Sequence, residues 1–124
     1  MIATIFGCLV SAIHVFIFYM ESLAWGKPTT NKAFGVSAAE AKTIETFAFN
    51  QGFYNLFLAA GVLAGFAIRA FGREDYGNAV ADFACACVLG AGLVLFFSKP
   101  KLIRAAMLQA FPAMAYLGFR FLGY

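Results

Sequence analysis

The sequence predicts an all-α, polytopic membrane protein: a bundle of four transmembrane helices with a short interfacial helix in the first connector. Three observations predict it. Four apolar runs are separated by polar breaks, and each is long enough to cross a hydrocarbon core of about 30 Å, which takes roughly 20 helical residues. Of the 124 residues, 63% are hydrophobic and 12% are charged, about half the charged share of an ordinary soluble domain. Sixteen phenylalanines and five tyrosines are more aromatic surface than a soluble core this small would bury. The whole chain, residues 1–124, is expected to be one domain.

The first span covers about residues 2–25. Met1 to Ala24 contains no Lys, Arg or Asp, yet it includes His14 and Glu21. Ser22-Leu23-Ala24 resembles the cleavage site of a secretory leader. The run lacks a positive start, however, and exceeds the usual apolar length of such leaders, so it is read as a retained helix. Gly26 to Val36 is the one long polar connector. Within it, Thr29, Thr30 and Asn31 are expected to cap a short interfacial helix at about 29–35, with Trp25 and Phe34 at the membrane boundary. The second span, about 38–71, opens on Ser37-Ala38-Ala39-Glu40, a capping box with Ser at N-cap and Glu at N3. It is longer than a bilayer requires, so its first turns belong at the interface or in water. Gly72-Arg73-Glu74-Asp75 ends it. The third span, about 76–98, is broken by Lys99-Pro100-Lys101, because Pro cannot continue the helical ladder. The fourth, about 101–122, carries Pro112 near its middle. That residue is expected to kink the helix and free the carbonyl near Leu108.

Four spans put both termini on one side, together with Arg69, Arg73 and Arg120. The other side carries Lys27, Lys32, Lys42, Lys99, Lys101 and Arg104. The positive-inside rule assigns that more basic side to the cytoplasm and the termini to the outside. The net charge of +3 is dispersed and gives no basic stripe for nucleic acid. Cys8, Cys85 and Cys87 lie in apolar stretches; an odd count there argues for packing rather than disulfides. Cys85 and Cys87 are two apart and do not form a metal-binding CxxC. One His, one Glu and neutral amides make a poor zinc site. No HExxH and no nucleotide-binding Gly loop is present, and neither Ser11 nor Ser22 sits in a nucleophile elbow. No metal or cofactor is therefore expected. Gly61 and Gly65 form a small-xxx-small pattern on the second span, read as an intramolecular packing seam, with a homodimer seam as the alternative.

Ionisable groups in a transmembrane segment cost at least roughly 2.5 kcal/mol on insertion scales, so His14 and Glu21 need a reason. They are seven apart, close to two helical turns, and are expected on one face about 10 Å apart along the axis. The second span adds Asn50, Gln51, Tyr54 and Asn55, with Gln51 and Asn55 one turn apart. The fourth adds Gln109. By depth these groups share the half nearest the more basic side, with His14 deeper. They are expected to line one internal pocket open toward the 26–36 connector, with Trp25 at its edge. Asp82 on the third span lies in the opposite half, with Arg69 or Arg120 as its expected partner.

Two readings of the cluster are open. The amides are interhelical glue and Glu21 reaches water, or Glu21 and His14 are an acid–base pair and the amides orient a lipid-borne substrate.

His14, Glu21-Ser-Leu-Ala-Trp25, Phe34-Gly35, Asn50-Gln51-Gly52-Phe53-Tyr54-Asn55 with Phe57-Leu58-Ala59-Ala60-Gly61, and Gln109-Ala-Phe-Pro112-Ala113 together resemble the bacterial family called domain of unknown function 1304. The NQG-x-YN block is the most specific part. The resemblance implies a four-span integral protein of a bacterial inner membrane, and it implies no catalytic role. A looser likeness, of residue type only, is to membrane sterol isomerases of the emopamil-binding type, which also place His, Glu, Asn and Trp in a small helical bundle. The leading expectation is a protein that binds a small amphiphile or lipid, with or without Glu21/His14 acid–base chemistry. The alternatives are a non-catalytic assembly or packing protein and a small proton-coupled transporter acting as a dimer.

Overall fold

The structure, a computed structural model, describes residues 1–124. It is all helical. Helix α1 spans Ile2–Phe18 and runs into a π-helical turn at Tyr19–Leu23. Then come α2 at Pro28–Phe34, α3 at Ala38–Thr43, α4 at Glu45–Ala70, α5 at Glu74–Ser98, a 3₁₀ turn at Pro100–Leu102 and α6 at Ile103–Phe121. Four segments are long and apolar enough to cross a membrane: Ile2–Leu23, Glu45–Ala70, Glu74–Ser98 and Pro100–Phe121. They form a closed ring in which α1 packs on α4 and α6, α5 packs on the same two, and α1 barely meets α5 across the diagonal.

Small residues make the seams. Apolar helices in lipid gain little from hydrophobic burial, so close backbone approach and dispersion contacts do the packing. The core is correspondingly built from Ala3, Val10, Val62, Ala81, Ala84, Cys85, Val88 and Ala113, with Tyr116 as its one large member. A Cβ added at Gly65 would meet the backbone of Gly77 and Ala81 at 2.7 Å, and one at Gly61 would sit 3.2 Å from Ala84. The Gly61-xxx-Gly65 seam thus receives α5 of the same chain. Gly92 admits α6 in the same way, against Ala110. Large apolar side chains such as Phe47, Phe83 and Phe97 point outward, as a lipid-facing surface requires.

The structure departs from the sequence reading at four points. The first span does not end as a plain α-helix: the Ala24 amide reaches back five residues to the Tyr19 carbonyl at 2.9 Å, which widens the last turn. The second span is not one continuous helix over 38–71. It breaks at Ile44, where ψ is 15°. The Thr43 hydroxyl donates to the Ala39 carbonyl at 3.0 Å, a back-bond that bends helices. β-branched Thr43, Ile44 and Thr46 also weaken the local helix preference. The interfacial helix is capped by Lys27 with Pro28 at its first position, where the missing amide costs nothing. Thr29, Thr30 and Asn31 lie inside it rather than before it. It ends on Gly35 at φ 65°, and the Val36 amide returns to the Asn31 carbonyl at 3.0 Å, a Schellman closure. Finally, α5 starts at Glu74, because Glu74 and Asp75 suit the positive end of a helix. The capping box forms as read: the Ser37 amide donates to Glu40 at 2.7 Å and the Glu40 amide to Ser37 Oγ at 3.2 Å.

Candidate functional site

The site is built where the π turn of α1 presses onto α4. Phe49, Gly52 and Asn55 are three apart and share one face of α4. Gly52 lacks a Cβ, and one built there would collide with Ser22 Oγ and lie 3.1 Å from Glu21 Cβ. The absent methyl lets Ser22 donate to the Phe49 carbonyl at 2.9 Å. One turn further along, Asn55 Nδ2 donates to Glu21 Oε2 at 2.8 Å. The same Nδ2 also donates to the Gln51 carbonyl at 3.0 Å, which fixes the amide's orientation. π turns of this kind recur at functional sites. Here the turn carries Glu21 into the bundle, only 8% exposed.

Beside this contact lies a cavity of about 1370 Å³, larger than the ordinary range of about 300–1,000 Å³ for small-molecule sites. Glu21, Trp25, Asn50, Gln51, Tyr54, Asn55 and Gln109 all line it. Its deeper wall is apolar, from Ile13, Ile17, Leu58, Leu95 and Leu108. The polar connector roofs it through Lys27, Thr30, Ala33 and Phe34, and Lys99 stands at the edge. Trp25 ties the roof down. Its indole donates to the Ala41 carbonyl at 2.9 Å, beside the Ile44 break, and its ring meets Phe34 edge-on at 5.3 Å.

His14 does not line the cavity. It lies on the buried stripe of Ala3, Gly7 and Val10, wholly enclosed. Its Nδ1 bonds the Val10 carbonyl at 2.9 Å, so Nδ1 carries a hydrogen, and Nε2 has no partner. The seven-residue spacing assumes uniform α geometry, and the π turn rotates Glu21 about the axis relative to His14. No hydrogen bond joins the two. No Lys or Arg nitrogen comes within 4.0 Å of Glu21 either, since the ion pairs are Lys42–Glu45 and Arg120–Asp82. Asp82 takes its expected partner Arg120 at 3.7 Å and also accepts from the buried Tyr116 hydroxyl at 2.8 Å. No three His, Cys, Asp or Glu side chains gather in a way that would hold a metal ion.

A family described as Protein of unknown function (DUF1304) matches residues 8–120. The chain belongs to this family. That match takes in the whole π-turn contact, the cavity lining and the Asp82 network. No curated protein and no solved structure matched the chain. This DUF1304 protein is a multi-pass membrane protein by its four apolar helices.

Sequence reasoning missed Gly52, Ser22 and the π turn. Gly52 was signalled by its place in the NQG-x-YN block, three residues before Asn55. Ser22 and the π turn left no mark in hydrophobic periodicity, because a widened turn is set by the partner helix.

Proposed function

We propose that this DUF1304 protein holds one small amphiphile in the cavity, its chain against the apolar deep wall and its polar head at Glu21, Asn55, Gln51 and Gln109. One observation carries the reading. Glu21 accepts a single side-chain hydrogen bond, through Oε2, and Oε1 has no protein donor although the residue lines a large cavity. A carboxylate offers about four acceptor sites, so a ligand donor completes it. Asn50, Gln51 and Gln109 also line the cavity without side-chain partners of their own. A purely packing role accounts for the Asn55–Glu21 bond and for His14, and Asn50 and Gln51 are exposed, but it leaves the open volume beside Glu21 unexplained. Any proton transfer within the site falls to Glu21, since His14 stands outside the lining. The charge count supports a topology with the cavity end toward the cytoplasm and both termini outward.

Native mass spectrometry of the protein released from lipid nanodiscs tests this. The wild type is expected to retain an amphiphile adduct. Ala105→Phe, which fills the cavity from a lining position, is expected to lose it, while Leu122→Ala at the far end keeps it. An adduct that survives Ala105→Phe, or a wild type that retains none, overturns the proposal.

A further inference from the structure

The cavity walls carry a combination that points to the charge of the ligand. Glu21 is enclosed, and no cationic nitrogen lies within 4.0 Å of it. An ionised carboxylate removed from water needs a partner charge or a full set of donors, and Asn55 supplies only one donor. Aromatic side chains also line this space, among them Phe16, Tyr19, Trp25, Phe34 and Tyr54. Tyr19 and Trp25 flank Glu21 in the chain, and Tyr54 adjoins Asn55. Ring faces are negative and attract cations within about 6 Å of their centres. A carboxylate without a cationic partner, in a space lined by aromatic rings and an apolar wall, matches a protonated amine on an aliphatic chain.

We infer that the ligand class is a cationic amphiphile, an alkylamine-like molecule whose ammonium donates to Glu21 Oε1 and lies among the aromatic rings. This rests on the amphiphile reading above. Lys27 and Lys99 are the two cations on the lining. Both are exposed, at the connector and at the end of α5, and neither neutralises Glu21.

Trp25 is the only tryptophan of the chain and lines the cavity, so its fluorescence reports occupancy. Protein in phosphatidylcholine nanodiscs is titrated with decylamine, decanol and decanoate, with wild type, Glu21→Gln and Glu21→Asp. The expected result is saturable quenching by decylamine at concentrations at least about tenfold below decanol, a preference that Glu21→Gln abolishes and Glu21→Asp keeps in part. Equal binding of decanol and decylamine, or a preference that survives Glu21→Gln, overturns the amine assignment and leaves the cavity reading standing. A preference for decanoate also overturns it and assigns recognition to the lysines. No saturable quenching by any of the three overturns both. A Glu21→Gln chain that does not fold leaves the wild-type comparison of decylamine with decanol to decide.

Discussion

Gly52→Ala is the sharpest test of the contact that holds the site. The new Cβ meets Glu21 Cβ and Ser22 Cβ at 3.1 Å and collides with Ser22 Oγ, whereas carbon atoms rest at about 3.5–4.0 Å. Ser22 Oγ can swing aside only by giving up its bond to Phe49, and the two Cβ atoms move only with the backbone, so the π turn itself has to retreat by about 0.5 Å. The Asn55–Glu21 bond then stretches from 2.8 Å and the Ser22–Phe49 bond from 2.9 Å, both to beyond the ordinary limit of about 3.2 Å. Overpacking costs about 1–3 kcal/mol, and the two bonds add about 0.6 kcal/mol each in a membrane bundle. Alanine's better helix propensity returns up to about 1 kcal/mol. The balance is a loss of about 1–3 kcal/mol. Equilibrium unfolding in mixed micelles, followed by circular dichroism, measures it. Gly90→Ala is the control. Nothing lies within 4 Å of its Cβ, so it is expected to be neutral or stabilising by up to about 1 kcal/mol. Ser22→Ala in the Gly52→Ala background removes the colliding oxygen and recovers part of the loss. A Gly52→Ala protein as stable as wild type, or a double variant no better than the single one, refutes the packing argument.

Gly65→Ala is expected to cost at least as much as Gly52→Ala in the same unfolding assay, because the new Cβ would meet backbone atoms at 2.7 Å. Asp82→Ala leaves the enclosed Tyr116 hydroxyl unpaired and is expected to cost about 1–3 kcal/mol; an unchanged unfolding midpoint counts against that bond. Acid should loosen the cavity roof. Bonds from the Ser37 amide and hydroxyl hold the Glu40 carboxyl below its usual range, so the folded form binds a proton less readily than the unfolded chain. Its contribution is present above the ordinary glutamate value of about 4.3 and is lost as pH falls through the lower folded value. Trp25, bonded to α3 at Ala41, is expected to shift its emission in that window, and Glu40→Gln to flatten the shift. Emission independent of pH in the wild type refutes the coupling.

The spans were legible because a bilayer demands long apolar runs, and this chain punctuates them with Gly72-Arg73-Glu74-Asp75 and Lys99-Pro100-Lys101. The Ser37–Glu40 box was legible because both partners lie within one turn. Glu21, Asn55, Gln51 and Gln109 share one height because antiparallel helices of known ends fix position along the bundle, and all four line one space, Gln51 from an exposed position. Height alone does not fix rotation. His14 shares Glu21's side only under uniform helix geometry, and the π turn at Tyr19–Leu23 breaks that uniformity. The break at Ile44 was hidden for a similar reason: it follows from a hydroxyl back-bond, and Thr43 has the same composition whether it makes that bond or not.

Glu21 and Gly52 explain each other. A glutamate carried on a regular helix could have pointed between helices with no demand on its neighbour. On the π turn, α4 gives up one side chain at Gly52 and so admits Ser22 Oγ and the Cβ atoms of Glu21 and Ser22. The helix then forfeits up to about 1 kcal/mol of propensity at that glycine and encloses an ionisable group whose charge burial disfavours. The Asn55 bond, at about 0.6 kcal/mol, is the one side-chain donor set against this. Helix packing alone therefore does not account for an ionisable residue at position 21. The uncompensated remainder falls on the one carboxylate oxygen that faces the cavity, and a bound ammonium is the partner whose charge repays it.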